Sequence, residues 1–402
     1  MKLAWIPLAA LCSVAFFVSC GGSSSSPTNT TGGGGSTVPS YTTCNGQQVP
    51  NWRSTAFESN YQAAIKQLIN HYGSNPNIGY IRIGFGIGGE VNLPQGWNTA
   101  SSGACYTAYT TNWGYTSGAD ATFTWDAYLQ SMLQYEATLG SPKPLIVSLT
   151  PVANSTAIDD FIASVAVSNA ISFGNQGLEA SDITNSPNCG GDWCNIFAKY
   201  PGTPLRELQT IGPSCPEGTA CVSSVASFTG PLDPLIPFAI AHGANDLELY
   251  YADWLIAYDP AYASSAGATA DSAAYQAAIQ KAAGTAGVTV QVLFPPQSFD
   301  ANFTIVQQYL MSNPAVTGAV IDVDWSDIDI GNSSTGAHTA YDFTISDAAI
   351  QPWIAAGKKV NLVFQSTTYS GGSNCPSMGT GSNGNVGSNC AMPPWMWTLL
   401  AQ

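Results

Sequence analysis

The sequence predicts an α/β fold, a (β/α)8 or TIM barrel of eight parallel strands ringed by helices. Apolar runs rich in β-branched and aromatic residues recur eight times between residues 80 and 365, as expected for buried parallel strands. Most of these runs are separated by segments with apolar residues at three- and four-residue spacing, which is typical of helices. Eight such units match a barrel whose functional side chains lie at the carboxyl ends of the strands.

The strands and helices alternate along the chain. The predicted strands are residues 80–87, 144–150, 170–176, 204–210, 246–254, 288–294, 318–325 and 359–365. The predicted helices are residues 52–72, 122–138, 156–167, 231–242, 271–284, 301–312 and 344–356, the last one stopping at Gly357. An open doubly wound sheet is the alternative, but no GxGxxG motif follows a strand where a phosphate would bind. A nucleotide site therefore has no support, and we expect no cofactor.

The amino-acid composition limits the classes of molecule that this protein is expected to bind. Of 402 residues, 10 are Lys or Arg and 25 are Asp or Glu, which gives a formal net charge of −15. This charge repels the phosphate backbone of nucleic acids and anionic lipid surfaces. The 11 Trp and 18 Tyr residues fit a protein that stacks aromatic rings on sugars, and they fit an ordinary core as well. We expect a neutral carbohydrate ligand, no nucleic acid, and a monomer.

The first 40 residues predict export and anchoring. Residues 1–19 contain an apolar run over 3–18 that is too short to span a bilayer comfortably and is typical of a signal peptide. The Phe-Val-Ser-Cys segment at 17–20 resembles a bacterial lipobox, which implies a lipid on Cys20. Residues 20–40 are uncharged and rich in Ser, Gly and Thr, so they predict a disordered tether. Residues 41–402 would form the barrel, bound to the cell envelope outside the cytoplasm, at the outer membrane or cell surface, through the lipid alone.

The remaining cysteines predict disulfides, as expected outside the cytoplasm. Apart from Cys12 in the signal and Cys20, eight cysteines remain, an even number. Close spacing favours three pairs and leaves a fourth, although the sequence permits other pairings: Cys189–Cys194, Cys215–Cys221, Cys375–Cys390 and Cys44–Cys105. A zinc site is the rival interpretation, but no CxxC motif occurs and the chain has 3 histidines.

Two glutamates on or after predicted strands are candidate catalytic groups. Glu90 follows a glycine-rich stretch at the end of strand 80–87, and Glu207 lies on strand 204–210. In parallel barrels the carboxyl end of the strands carries the chemistry. For both glutamates, an exposed loop or strand-end position is the alternative.

Other strand carboxylates favour a polar lumen. Alternation places Glu248 and Tyr250 on one face of their strand and leucines on the other. Asp322 and Asp324 alternate with apolar residues in the same way. Because burying a carboxyl group without a partner is costly, we expect these side chains to face a ligand in the barrel. Glu248 also competes with Glu207 for a catalytic role.

A resemblance suggests a function. The run AVIDVDWSDID at residues 319–329 and the segment Pro393–Trp395 resemble the second and third strand regions of barrel glycoside hydrolases related to β-galactosidases and cellulases. The segment Gly79–Glu90 is similar to the fourth strand of those enzymes, although it comes first here. The strand order therefore looks circularly permuted, which a closed barrel tolerates when the original termini lie close together.

The resemblance implies a retaining mechanism with two carboxylates. Position by position, the acid/base matches Glu90 and the nucleophile matches Glu207. Those enzymes usually have Asn before the acid/base, where this chain has Gly89. The predicted substrate-binding residues are Glu248, Asn175, Gln176, Asp324, Trp325, Tyr250 and Trp395. Two alternatives stay open: a carbohydrate-binding lipoprotein on a barrel without catalysis, and a structural or adhesive surface protein.

Overall fold

The computed structural model describes most of the segment that the sequence assigns to the barrel. The described residues are 40–42, 48–50, 52, 54–86, 90–91, 118–149, 156–184, 189, 191–214, 229–294, 301–366 and 392–400. The predicted signal peptide, Cys20 and nearly all of the predicted tether lie outside them, as do Cys44, Cys105, Cys215, Cys221, Cys375 and Cys390. Within the described part of the chain, none of the helices has the length and apolar character needed to cross a bilayer.

Eight parallel strands close into a barrel. They are β1 (Ile78–Ile83), β2 (Leu145–Leu149), β3 (Ser172–Leu178), β4 (Arg206–Thr210), β5 (Asp246–Tyr250), β6 (Thr289–Phe294), β7 (Gly318–Asp324) and β8 (Lys359–Gln365). Each strand pairs with its neighbours in the chain, and the last strand pairs with the first, with Val363 beside Arg82. All eight predicted strands and the predicted α/β barrel are therefore confirmed. Because the strands follow one another around a closed ring, this topology by itself marks no strand as the first.

The helices largely follow the predicted pattern. They are α1 (Thr55–Tyr72), α2 (Gly118–Thr138), α3 (Thr156–Ser168), α4 (Ser181–Thr184), α5 (Asp192–Lys199), α6 (Leu232–Ala241), α7 (Tyr251–Tyr258), α8 (Pro260–Ser265), α9 (Ser272–Ala283), α10 (Ala301–Ser312), α11 (Trp325–Ile328), α12 (Thr344–Ala355) and α13 (Pro394–Leu400). In α1, Phe57, Tyr61 and Leu68 are buried at three- and four-residue multiples, so this helix presents one apolar stripe to the barrel. Gly357, with φ +76°, ends the α12 region as predicted.

Two predicted strands ended several residues too late in the chain. The strand predicted for residues 80–87 corresponds to β1, which ends at Ile83. The sequence suggests that the strand starting at Asp246 continues to Trp254, but β5 ends at Tyr250 and α7 begins at Tyr251. A continuous apolar run is compatible with either structure, and here Trp254, Leu255 and Ile256 are buried on a helix. The antiparallel pair formed by 329–332 and 337–341 and the terminal helix α13 were not predicted either.

The barrel separates an apolar shell from a polar lumen. Outward-facing strand residues such as Leu247, Leu249 and Phe173 are fully buried in the main hydrophobic cluster with the helices. The lumen has a small apolar cluster of its own, formed by Leu293, Val320 and Val363 with Tyr250 against it. The predicted disulfide Cys189–Cys194 is present just before and within α5, with Cα atoms 6.1 Å apart.

Candidate functional site in the barrel lumen

Polar side chains fill much of the lumen. TIM barrels usually pack branched aliphatic residues there. Here, strand alternation and the contacts described below direct inward Tyr80, Arg82, Ser148, Gln176, Glu207, Gln209, Asp246, Glu248, Gln291, Asp322, Asp324, Asn361 and Gln365. Loop segments after six of the strands lie at least partly outside the described residues, so the site is built here from the strands. Buried polar groups are costly unless they are paired, which makes this concentration a candidate functional site.

Arg82 is the centre of the polar network. Its guanidinium reaches from β1 across the lumen, where Nη1 donates to Glu248 Oε2 at 2.9 Å and lies 3.2 Å from Glu207 Oε2. Nη2 donates to Gln209 Oε1 at 3.2 Å. Arg82 is 2% exposed, and both glutamates are 0% exposed. One cation therefore holds two buried carboxyl groups from β4 and β5.

Glu248 accepts hydrogen bonds on both of its carboxylate oxygens. Arg82 donates to Oε2, and the hydroxyl of Tyr80 donates to Oε1. Hydrogen bonds from a charged donor to a carboxylate are among the strongest in proteins. The prediction that Glu248 points into the barrel is confirmed by these contacts, which come from the opposite strand β1.

Glu207 occupies a different environment. It is the second residue of β4, and its register partner is Asp246, whereas Gln209 pairs with Glu248. Neither of its oxygens accepts a hydrogen bond from the described residues. Burial and then the charge of Glu248 raise the pKa of the Glu207 carboxyl well above its ordinary value, although Arg82 opposes them. Glu207 lies in the lumen but below the strand end where the sequence had suggested it.

Gln176 links Arg82 to Glu90. With its amide nitrogen turned toward Glu90, Gln176 donates to Glu90 Oε1, and its oxygen accepts from Arg82 Nη2 at 2.8 Å and from Ser148 Oγ at 3.3 Å. Glu90 is 6% exposed and lies seven residues beyond the end of β1, farther from the strand than the sequence predicted. A continuous path of polar contacts thus runs from Glu90 at the carboxyl end through Gln176 and Arg82 to Glu248.

Three further side chains face the upper lumen. Burial raises the pKa of Tyr250 to about 12, and the charges of Asp322 and Glu90 add to this effect, so the phenol lies within electrostatic range of both. Burial raises the pKa of Asp322 to about 7, although Arg82 opposes it. Asp324 accepts a hydrogen bond from Gln365 Nε2 at 3.0 Å and takes part in the capping box of α11. The upper lumen therefore contains carboxyl, amide and phenol groups.

Three predicted substrate-binding residues lie elsewhere. Asn175 alternates away from the lumen, and its Oδ1 accepts from the backbone of Gly177 at 2.9 Å. Trp325 and Trp395 are 0% and 1% exposed. Both indoles donate to Asp329, at 2.8 Å and 3.2 Å. The Trp395 ring packs against Gly331 of the antiparallel pair, and the Trp325 ring packs against Phe57 and Tyr61 of α1. Neither buried ring presents an open face to a ligand.

The sequence interpretation overlooked Tyr80, Arg82 and Gln209. The signal for Arg82 was present, because a single arginine interrupts the apolar run Tyr80–Ile83 at a position that alternation directs inward. Across the described residues, no group of three or more His, Cys, Asp and Glu side chains is arranged to hold a metal ion.

The fold and site define this protein as a closed TIM barrel with a polar lumen. No protein-family profile matches the chain, and no curated protein matches it. Among solved structures, it is similar to the carboxyl transferase domain of Rhizobium etli pyruvate carboxylase with pyruvate and biocytin, at 10% identity over 68% of this chain and 48% of that one, with a TM-score of 0.28. A second structure of the same domain gives 11% identity over 69% and 49%, also at 0.28.

These likenesses carry no argument about activity. The chain spans about half the length of the structures it matches. The comparisons also give no support to the glycoside hydrolase family that the sequence resembles. The function must therefore be argued from the side chains in the lumen.

Proposed function

We propose that this barrel is a glycoside hydrolase that cleaves O-glycosidic bonds of neutral sugars with two carboxylates of its lumen, Glu90 at the carboxyl end and a second one deeper in the barrel. The path from Glu90 through Gln176 and Arg82 to Glu248 carries the proposal. It connects a carboxyl group at the rim to a second one deeper in the barrel, and this reaction uses two carboxyl groups. The amide, phenol and carboxyl groups around it offer the donors and acceptors that bind sugar hydroxyls.

Glu90 is assigned as acid/base because it follows β1 at the carboxyl end. In the first step its carboxyl group protonates the oxygen of the leaving sugar while the second carboxylate attacks the anomeric carbon. In the second step Glu90 removes a proton from water, which displaces the enzyme carboxylate and releases the sugar. The two carboxyl groups must approach to roughly 5 Å for this reaction.

For the nucleophile, the contacts favour Glu248 over Glu207. Glu248 accepts from a guanidinium and a phenol, which stabilise the charged form that attacks carbon. Glu207 lies two residues earlier in the strand register than Glu248, because it pairs with Asp246 while Gln209 pairs with Glu248. Its contact with Arg82 Nη1, at 3.2 Å, is an ion pair without hydrogen-bond geometry, whereas both oxygens of Glu248 accept hydrogen bonds. The role that the resemblance implied for Glu207 is therefore transferred to Glu248 in this proposal.

The charges of the lumen favour neutral sugars. Among the inward-facing side chains described above, Arg82 is the one cation, and Glu248 and Glu207 already lie against it. Several carboxyl groups face the same space, so a sugar acid would meet like charge. We therefore place uncharged oligo- or polysaccharides first among the substrates.

Turnover of aryl glycosides and polysaccharides by residues 41–402 tests the proposal. We expect activity in the wild type and losses by orders of magnitude in Glu90→Gln and Glu248→Gln, with folding retained. Azide, which replaces a missing carboxylate nucleophile, should restore turnover to Glu248→Ala. Rescue of Glu207→Ala instead would return the nucleophile to Glu207, and a panel without turnover would contradict the hydrolase proposal.

Carbohydrate binding without catalysis is the second candidate. The observation in its favour is that both carboxyl groups beside Arg82 are fully buried, and that Gly89 precedes Glu90 where related enzymes have Asn. Calorimetric titration with glycans that are not turned over would support it.

The anchoring of the protein is a separate proposal. We propose that Cys20 carries a lipid that holds the barrel on the cell envelope, because the segment before it resembles a lipobox. Cys20→Ser should move the full-length protein from the membrane fraction to the soluble fraction. An unchanged distribution would contradict lipid anchoring.

A further inference from the structure

Glu207 fits into a space that a glycine leaves open. Gly174 on β3 pairs directly with Glu207 on β4. A Cβ atom on residue 174 would lie 1.8 Å from Glu207 Oε2 and 2.9 Å from its Cβ. We call this space the Gly174 niche. Since a residue with any side chain would overlap the carboxyl group, the niche fixes where that group lies.

The niche places Glu207 directly beneath the guanidinium. Its Oε2 lies 3.2 Å from Arg82 Nη1, the same nitrogen that donates to Glu248 at 2.9 Å. Gln209 and Gln176 accept from Nη2. Arg82 is thus held from several sides, and Glu207 closes the side that faces the bottom of the barrel.

We propose that Glu207 is a positioning residue, which from the Gly174 niche holds the guanidinium of Arg82 against Glu248. Without the Glu207 side chain, the guanidinium can move down into the niche, and Glu248 loses a donor. The inference rests on the proposed function, since it assigns Glu248 as the reacting carboxylate. The inference goes beyond the proposed function because it gives Glu207, the second buried carboxyl group beside Arg82, a separate role.

The role requires a neutral Glu207. Arg82 and Tyr80 from β1, and Glu248 and Asp246 from β5, are the titratable groups that act on it. One cation faces three carboxyl groups in this set, and a proton on Glu207 lets Arg82 pair with Glu248. Burial raises the pKa of Glu207 in agreement with this geometry. When Glu207 ionises at high pH, it competes with Glu248 for Arg82 Nη1.

The variants of Glu207 distinguish positioning from catalysis. A glutamine has the shape of a protonated glutamic acid, so kcat of Glu207→Gln should stay within about threefold of wild type at neutral pH. In Glu207→Ala the side chain is lost, so kcat should fall by at least about tenfold, and KM should change less. Deprotonation of the acid Glu90 should lower activity at high pH in both proteins, and ionisation of Glu207 should add to this loss in wild type. The loss should therefore begin at a higher pH in Glu207→Gln than in wild type. Azide should not rescue Glu207→Ala. Asp233→Asn, on the exposed face of α6, is the matched control and should behave as wild type throughout.

Two results would overturn the proposal. Loss of activity by orders of magnitude in Glu207→Gln, with azide rescue of Glu207→Ala, would make Glu207 the nucleophile. If Glu207→Ala had the kcat and the pH profile of wild type, Glu207 would have no positioning role.

A readout without turnover separates this inference from the proposed function. Burial raises the pKa of Asp246 and of Asp322 to about 7, so these acids also absorb in the infrared as protonated carboxyl groups at pH 6. The test is therefore an infrared difference spectrum: wild type minus Glu207→Gln should contain a carbonyl band that wild type minus Asp233→Asn lacks. If the enzyme assay fails but this band behaves as expected, the hydrolase assignment falls and the neutral, niche-held Glu207 stands. Absence of this band from the difference between wild type and Glu207→Gln would overturn the neutral Glu207 even in an active enzyme.

Discussion

The two faces of the barrel wall are opposite in character. On β5, Leu247 and Leu249 point outward into the helix shell, while Asp246 and Glu248 point into the lumen, and all four are buried. Burying leucine stabilises the fold by about 1.5–3 kcal/mol for each side chain. Burying a carboxyl group opposes folding unless a partner offsets its desolvation. We infer that the outer face supplies most of the stability, and that the polar network of the inner face lowers it.

Of the substitutions on the inner face, removal of the Arg82 side chain should change the stability of the protein the most. Arg82→Met leaves Glu248 and Glu207 buried without their cation, so we expect a loss of about 3–5 kcal/mol in the free energy of unfolding. Arg206→Met is the matched control, because among the described residues the Arg206 guanidinium donates to backbone carbonyls on the outer side and to no carboxylate. Its expected loss is smaller, about 1–2 kcal/mol. Equal losses in urea denaturation would show that the inner ion pairs matter no more than outer hydrogen bonds.

An outer-face deletion should cost stability without touching the site. Leu249→Ala removes a fully buried side chain from the shell, and we expect a loss of about 2–5 kcal/mol with ligand affinity unchanged. Glu248→Gln, one residue earlier on the same strand, should show the reverse pattern. Calorimetry would measure glycan binding and circular dichroism would report folding. If Leu249→Ala were folded but no longer bound glycan, the contrast between the outer and inner faces of β5 would be wrong.

The Gly174 niche should tolerate no side chain. Gly174→Ala places a methyl group on the Glu207 carboxyl, and overpacking of this kind costs about 1–3 kcal/mol. Gly202→Ala is the matched control, since no atom lies within 4 Å of its added Cβ. The coupling is tested by Gly174→Ala/Glu207→Ala, which should recover part of the loss. If both glycine variants melt at the same temperature, the niche is not a constraint.

The acids of the lumen should make stability fall with rising pH. Burial raises the pKa of Asp246 and of Asp322 to about 7. Between their ordinary values near 4 and 7, the folded protein therefore binds more protons than the unfolded chain, and stability is lost as pH rises through that window. Urea midpoints at pH 5 should exceed those at pH 8, and Asp246→Asn should reduce the difference. A midpoint that increases from pH 5 to pH 8 would contradict the raised values.

More of the fold than of the candidate site could be predicted from the sequence. Apolar runs of strand length identified all eight strands, because buried parallel strands are continuous in sequence. The end of β5 was wrong because the apolar residues after Tyr250 fit a helix as well as a strand. Glu90, Glu207, Glu248 and Gln176 were found as polar residues on or after such runs.

The contacts within the site could not be predicted. Arg82 and Glu248 are 166 positions apart, and only closure of the barrel brings β1 opposite β5. Gly174 likewise looked like one residue of a strand, with nothing nearby to indicate that Glu207 needs its space. Trp325 and Trp395 looked like sugar platforms because the sequence does not show Asp329 lying between their indoles.

Trapping of the covalent intermediate tests the central claim most directly. A 2-fluoro glycoside with a good leaving group, chosen from the sugars that are turned over, should accumulate as a glycosyl ester on the enzyme, because the fluorine slows its hydrolysis. Peptide mass spectrometry of the labelled protein should place the sugar on Glu248, with labelling lost in Glu248→Gln and kept in Glu207→Gln. A label on Glu207 would contradict the assignment of the two carboxyl groups, and turnover without any label would contradict the retaining mechanism.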